Sequence, residues 1–451
     1  MELELRDRLL DSIENNRLVL FCGAGLSMAA PSRVPSAAAL ATFCKEKYER
    51  EIGAKLSDSF ASDLEAQAEH FAANGQLVQT FIRRLIPREP FRLDPNAGHF
   101  AIADFLSSQV ADFVLSTNID RLVEVAAEDL GEPQAYVALD GTEANTPRPH
   151  SPHIKLHGCL QRDEVNTVWC KSQLEKDPAR ERIGQLEMWI RARLLGRDVV
   201  FLGFWSDWAY LNAIFESTVT SIENALVVIV NPSEDAVLEA KAKGLWDWSA
   251  KAGITRRIVR ESAADFLAEL RKLMWINFLN RVLRQGEAAF VALGGSAQAG
   301  RYEIASDALN TDEAYRLRLD ACGVPHRNIA RQKRPDAAMN KLGAVQLGLL
   351  AKGAQLEGNH FVLNEKRIRA IGGQGQLLGT VKGTYAAEPA QFPRVDLMIC
   401  VGATDDGNVP QSVVRGDARL GTIVRATAGA EWQNEEAASE LWRVNKNVAA
   451  P

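Results

Sequence analysis

The chain has 451 residues, 46% of them apolar and 24% charged, and carries a formal net charge of −6. That length exceeds one ordinary core and predicts two domains, and the composition is globular rather than disordered or fibrous. No apolar run approaches the roughly 18 residues of a membrane span, and the acidic, polar start does not read as a signal peptide, so a cytoplasmic setting is expected.

A helix is predicted from Leu5 to Asn15. It leads into Leu18-Val19-Leu20-Phe21-Cys22, an unbroken apolar run of the kind that forms a strand buried on both faces. Gly23-Ala24-Gly25-Leu26-Ser27 follows as a small-residue turn feeding a helix, an arrangement whose free amides and dipole favour an anion. Gly23 and Gly25 lack a Cβ and so allow a pyrophosphate to approach the main chain, although a Gly-x-Gly turn also serves as a plain strand-to-helix connection.

Helices are predicted from Ala39 to Arg50 and from Ser62 to Leu85. Strands follow near 112–116, 153–156, 198–203 and 225–231, alternating with helices at Ile183 to Leu195 and Tyr210 to Ser221. This alternation predicts a doubly wound parallel sheet with right-handed crossovers. Such sheets gather ligands at the carboxyl ends of their strands. Three strand ends there carry chemistry: Ser116-Thr117-Asn118-Ile119-Asp120, then Leu156-His157-Gly158, then Gly203-Phe204-Trp205-Ser206-Asp207. A fourth ends in Asn231-Pro232.

Asn118 offers a donor and an acceptor that suit a ribose hydroxyl or a water, and His157 titrates near neutrality and can accept a proton. Each also has a plainer reading. Asn118 and Asp120 suit the start of a helix near Arg121, His157 suits a hydrogen-bonded turn, His99 suits a helix start, and Trp205 and Trp208 suit packing.

A long amphipathic helix from Ala263 to Leu283 closes this region, and the pattern changes after Gln285. We therefore expect domains at 1–285 and 286–451, the second smaller, of mixed α+β character and rich in strands. Glycines between short apolar stretches from Gly353 to Lys382 suit antiparallel hairpins. Gly373-x-Gly375 is read there as a false phosphate turn, with no buried strand before it and no clear helix after. Residues 301–451 hold 19 Lys plus Arg against 17 Asp plus Glu, leaving 33 against 41 for residues 1–300. The more basic tail includes the run His326, Arg327, Arg331, Lys333, Arg334 and Lys341, read either as a solvated surface or as a face for nucleic acid or an acidic partner.

The ordered set Gly23-Ala24-Gly25-Leu26-Ser27, Pro95-Asn96-Ala97-Gly98-His99, Ser116-Thr117-Asn118-Ile119-Asp120 and Leu156-His157-Gly158, with the late Gly203 and Asn231, resembles the sirtuin family of NAD-consuming enzymes. The resemblance implies a Rossmann-like fold, NAD+ as substrate, and Asn118, His157 and Asp120 as the catalytic group, Asp120 against the nicotinamide carboxamide. It also implies contacts to phosphates or riboses from Gly23, Ala24, Gly25, Ser27, Thr117, Gly203, Ser206 and Asn231.

The departures from the family matter as much. Cys22, Cys44, Cys159, Cys170, Cys322 and Cys400 form no Cys-x-x-Cys pair, whereas sirtuin protein deacylases carry four cysteines as a zinc ribbon. Cys159 and Cys170 are read as buried or incidental thiols, and no metal is expected. The Pro-Asp-Phe-Arg-type segment of deacylases is replaced by Val34-Pro35-Ser36-Ala37. Without an evident acyl-lysine cleft, water becomes the expected acceptor and NAD+ hydrolysis to nicotinamide and ADP-ribose the expected reaction.

A sirtuin-like NADase domain followed by such a tail resembles the sirtuin-APAZ proteins of bacteria, the tail match resting on Phe392-Pro393-Arg394-Val395-Asp396-Leu397 and on Trp432 and Trp442. That resemblance implies a heterodimer with a short Argonaute carrying a guide RNA, and NAD+ depletion when target DNA of an invader is recognised. The alternatives left open are a stand-alone defence NADase with a sensor tail and a module that binds NAD or ADP-ribose without turnover.

Overall fold

A computed structural model describes residues 1–131, 137–204, 207–219, 225–296, 299–323, 332–386, 395–404 and 431–434. Trp205, Ser206, His326, Arg327, Arg331, Phe392, Pro393, Arg394 and Trp442 lie outside the described residues. The chain divides into two compact units, Met1–Leu270 and Arg271–Pro451. Among the described residues no helix is long and apolar enough to cross a membrane.

The first unit runs α1 (Leu3–Glu14), β1 (Leu18–Cys22), α2 (Gly25–Met28), α3 (Ala37–Ile52), α4 (Leu64–Ala73), α5 (Ala97–Ser107), β2 (Phe113–Ser116) and α6 (Leu122–Asp129). It continues through β3 (Val137–Ala138), α7 (Gly141–Asn145), β4 (His153–Lys155), α8 (Ala179–Leu194), β5 (Asp198–Leu202) and α9 (Ala209–Val219). Last come β6 (Ala225–Val230), α10 (Asp235–Lys241), α11 (Lys243–Ser249) and β7 (Ile254–Val259). The seven strands form one parallel sheet in the order β3-β4-β2-β1-β5-β6-β7. The expected doubly wound, Rossmann-like sheet is thus the observed one. Its central strands β1, β2, β5 and β6 are buried along their whole length, as their unbroken apolar runs require.

The strand order reverses at β1, which pairs with β2 on one side and with β5 on the other. A crevice opens at such a reversal, outside the carboxyl ends of the strands. Two strands escaped the sequence reading. β3 has only two residues, and β7 is half-buried and carries Arg256 and Arg257, so neither shows an apolar run. The single helix expected from Ser62 to Leu85 is broken at Asn74-Gly75, where Gly75 takes a φ of +67°, and resumes as a π-helix over Leu77–Leu85.

A long helix, α12 (Ala263–Ala292), runs through the division between the units and includes position 285. The second unit adds α13 (Thr311–Cys322), α14 (Asn340–Ala351), β8 (Gln355–Glu357), β9 (His360–Leu363), β10 (Lys366–Gly372), α15 (Leu378–Ala386), β11 (Leu397–Val401) and β12 (Glu431–Asn434). Its sheet is mixed. β8, β9 and β10 are antiparallel hairpins, as their glycine turns predict, but β10, β11 and β12 are parallel. A side chain at Gly286 would collide with the main chain at Gly343, so α12 and α14 cross there backbone against backbone. A buried bidentate pair ties α13 to β10: Arg369 donates to both Asp320 oxygens at 2.7 Å, and the Tyr385 hydroxyl donates to the same carboxylate at 3.2 Å.

The reading of Gly373-x-Gly375 needs correction. Buried β10 precedes it and α15 follows, so the local unit is strand, glycine turn, helix and parallel strand. Its amides are nonetheless spent inside the unit: Gly373 N–H donates to Val401 O at 2.6 Å, Gly375 N–H to Gly402 O at 2.9 Å and Leu378 N–H to Thr404 O at 3.0 Å. The turn is a packing joint between two parallel strands.

Candidate functional site

The glycine turn after β1 is built against the turn after β5. Gly23 N–H donates to Leu202 O and Gly25 N–H to Gly203 O, each at 3.0 Å. A Cβ on Gly23 or Gly25 would stand 2.8 Å from Gly203 O, and one on Gly203 would stand 2.7 Å from the Gly25 main chain. Gly203 also has a φ of +61°. These glycines are therefore required by the contact between two turns at the strand-order reversal. Leu26 and Ser27 amides bond back to Gly23 O and Ala24 O, while the amide of the exposed residue Ala24 has no partner among the described residues.

Ser27 is the centre of the site. It is buried, and its hydroxyl lies 3.1 Å from His99 Nε2, 2.9 Å from Asp120 Oδ2 and 3.2 Å from Asn118 Nδ2. His99 Nδ1 accepts from Asn96 N–H at 3.0 Å, so the proton of the neutral ring is on Nε2 and is donated to Ser27. Burial holds His99 down to about 4, against the raising fields of Asp120 and Glu124, so the ring is neutral at physiological pH. Ser27 Oγ thus accepts from His99 and Asn118 and gives its one proton to Asp120. Its hydrogen-bonding capacity is filled.

The helix-start readings hold for His99 and Asp120 but not for Asn118, and all three side chains meet Ser27. His99 closes a capping box with Asn96 at the start of α5 and also reaches Ser27. Asp120 Oδ1 accepts from Leu122 N–H at 3.1 Å, capping α6, while Oδ2 accepts from Ser27. Asn118 is fixed through its main chain, donating to Ser116 Oγ at 3.0 Å, and through Nδ2, which leaves Oδ1 as its open acceptor among the described residues.

His157 follows β4 and is buried. Its Nε2 lies 3.1 Å from the Tyr210 hydroxyl, and its ring meets Trp208 edge-on with centroids 4.6 Å apart. Burial, with the Arg182 charge adding to it, holds His157 down to about 3, and burial raises the Tyr210 hydroxyl. The pair is therefore neutral at physiological pH, a histidine with an unprotonated nitrogen beside a protonated phenol.

These side chains border one cavity of about 520 Å3, a size suited to a small-molecule ligand. Gly23, Ala24, Ser27, Thr117, Asn118, Asp120 and His157 line it together. Gly25 and Gly203 stand behind as the joined turns. Asn231 does not reach the cavity: it is fully buried, its Oδ1 accepts from Ser233 N–H at 3.0 Å, and Nδ2 has no partner among the described residues. Ser206 lies outside the described residues.

The rest of the lining includes Val34, Pro35, Ala37, Phe204 and Trp208, named in the sequence, and residues the sequence did not single out. Phe91, Val168 and Trp169 supply an apolar wall, and Asp63 and Glu65 join Asp120 as carboxylates, with no Lys or Arg among the described lining residues. All six cysteines are separate buried thiols, Cys159 beside Gln161 Oε1 at 3.8 Å and Cys170 beside Gln173 Oε1 at 3.5 Å. Lys155 was also missed, although an ionisable residue inside a strand of a parallel sheet is a signal in itself.

Residues 112–253 match the SIR2-like domain family. That stretch of the first unit is therefore SIR2-like. The match takes in Asn118, Asp120, His157, Gly203 and Asn231 but not the Gly23–Ser27 turn or His99. No curated protein matches the chain. Among solved structures it is similar to a Sir2 homolog–NAD complex at 15% identity, covering 58% of this chain and 91% of that chain with a TM-score of 0.31. It is similar to Sir2Tm bound to a propionylated peptide at 16% identity, covering 58% and 94% with a TM-score of 0.33. A mutant Sir2 homologue in complex with ADP-ribose gives 17% identity, 60% and 95% coverage and a TM-score of 0.32.

Proposed function

We propose that the first unit hydrolyses NAD+ to nicotinamide and ADP-ribose. The observation that carries this reading is the convergence of Asn118, the Ser27-Asp120 pair and a neutral His157 on one cavity at the strand-order reversal. In the reaction the bond between the ribose anomeric carbon and the nicotinamide nitrogen breaks, and its electron pair leaves with the neutral nicotinamide. A water oxygen bonds to the exposed carbon and its proton passes to His157. Asn118 Oδ1 accepts from that water or a ribose hydroxyl, since Nδ2 is held by Ser27.

The carboxylates of Asp63 and Asp120 favour a cationic nicotinamide and the positive ribose that forms as it departs, while Glu65 is paired with Lys171 at 3.2 Å. Of the residues that the resemblance to sirtuins offers for pyrophosphate and ribose, we keep Ala24 and Thr117, which border the cavity, whereas the Gly23 and Gly25 amides are spent on Leu202 and Gly203 and Asn231 stands away from the cavity. The open Ala24 amide is the donor best fitted to a phosphate oxygen.

The second unit, in this reading, is an APAZ-like docking module for a short Argonaute. The pair would deplete cellular NAD+ when the partner's guide RNA recognises invading target DNA, an abortive-infection defence against phage or plasmid in the cytoplasm. The resemblance of the tail supports this: Val395, Asp396 and Leu397 enter β11, and Trp432 sits on the neighbouring β12. The test mixes the chain with partner, guide, target and NAD+ and follows nicotinamide by chromatography. Release that needs all four components supports the reading. Equal release by the chain alone contradicts the partner dependence.

A further inference from the structure

Lys155 is the last residue of β4 and is wholly buried. A lone ammonium in such a place is costly, so its partners define its role. It has two. Its Nζ donates to the main-chain oxygen of Asp120 and, at 3.1 Å, to Glu124 Oε1 on the buried face of α6. Glu124 Oε2 has no other partner among the described residues, so the carboxylate serves the lysine.

We propose that Lys155 is the positioning residue of the site, a buried cation that fixes the main chain of the Asn118-Ile119-Asp120 segment from beneath. The inference rests on the functional reading above only for its kinetic consequence. The segment leaves β2 without regular structure, and four ties hold it. Thr117 N–H donates to Cys22 O at 3.1 Å, Asn118 N–H to Ser116 Oγ at 3.0 Å and Leu160 N–H to Ile119 O at 2.9 Å, while Lys155 takes the Asp120 oxygen. The first three come from neutral groups. The fourth is charge-assisted, roughly twice as strong, and stands opposite Ser27, which grips the same residue by its carboxylate. Asp120 is therefore clamped at both ends, and Asn118, two residues away and tied to Ser116 and Ser27, shares the Ser27 end of that clamp. Burial opposes the charge on Lys155, yet Glu124, with Cys159 and Asp120, outweighs it and keeps the ammonium protonated.

The test removes the donor without stranding a charge. Lys155→Met/Glu124→Met replaces the pair by apolar groups of similar volume, a change buried ion pairs commonly tolerate. Lys155→Met/Glu124→Gln is the more polar version, and Glu124→Asp alone keeps both the counter-charge and the lysine bond to Asp120. Hydrogen exchange of the amides at 117–121 in the full chain should speed up at least ten-fold in either folded double variant and stay near wild type in Glu124→Asp. In the active assembly, nicotinamide release should lose at least ten-fold in kcat with KM changed less than three-fold. Wild-type exchange and wild-type kcat in a folded double variant would overturn the inference. So would failure of both double variants to fold while Glu124→Asp folds, because Lys155 would then be needed for the fold rather than for positioning. If the wild-type assembly releases no nicotinamide, the functional reading fails while the exchange result still decides the role of Lys155.

Discussion

Ser27 donates to Asp120 across 2.9 Å, joining the turn after β1 to the loop after β2 over 93 positions of sequence. Because Ser27 also accepts from His99 and Asn118, one hydroxyl sets the relation between the glycine turn and the candidate catalytic loop. Ser27→Ala leaves the Asp120 carboxylate and the His99 N–H without that partner in a buried setting. A loss of about 1–3 kcal/mol in unfolding free energy is expected. Nicotinamide release should fall by about 100-fold through misplacement of Asn118. Chemical denaturation and steady-state kinetics on the same variant check both.

Gly203→Ala tests the joined turns. The new Cβ would meet the Gly25 main chain at 2.7 Å, and the residue would have to keep a φ of +61°. Overpacking and the left-handed backbone together predict a loss of about 2–4 kcal/mol, read as a lowered Tm. Gly184→Ala, on α8 with open space around its Cβ, should by contrast stabilise the fold by a few tenths of a kcal/mol up to about 1 kcal/mol.

The pH dependence follows from burial. With His157 held down to about 3, the base stays unprotonated well below neutrality. The acid limb of kcat/KM should therefore not fall near 6.5, the ordinary histidine value, and a limb centred there that vanished in a His157 variant would contradict the lowered pKa of His157 while leaving it as the base.

The same shifts act on stability. His99 is held down to about 4 and His153 and His157 to about 3, in each case chiefly by burial. Folded pKa values below the unfolded value mean that the unfolded chain binds more protons as pH drops. Stability is thus retained above about 6.5 and lost progressively between about 6.5 and 3, each histidine adding a slope of about 1.4 kcal/mol per pH unit. Melting curves from pH 7.5 to 5 should show Tm declining only below about 6.5.

Tyr210→Phe keeps the ring and removes the hydroxyl that lies 3.1 Å from His157 Nε2. About a ten-fold loss in kcat with little change in KM is expected if the hydroxyl orients the imidazole, and kinetics with an unchanged Tm would separate this from damage to the fold.

Much of the fold was legible in sequence because the central strands are apolar throughout. β3 and β7 were not, one being too short and the other half-exposed with two arginines. In the second unit, α15 was hidden because Leu378–Ala386 includes Gly379 and Gly383, which read as turn residues. At the site, the motifs named Asn118, Asp120, His157 and Ser27, and these line one cavity. Sequence posed capping and chemistry as rivals at Asp120 and His99. A carboxylate has two oxygens and an imidazole two nitrogens, and each residue spends one atom on a helix and the other on Ser27. Lys155 and Tyr210 escaped because their importance lies in tertiary partners that no local spacing records.

The central claim is that Asn118 and His157 act on NAD+ in one cavity. Asn118→Ala keeps the main-chain bond to Ser116 and removes only the amide, so the chain should fold and assemble as before. Nicotinamide and ADP-ribose release by the assembled complex, measured on Asn118→Ala beside wild type, tests the claim most directly. The account predicts a loss of at least 100-fold with NAD+ left intact. Release by Asn118→Ala at the wild-type rate would contradict it.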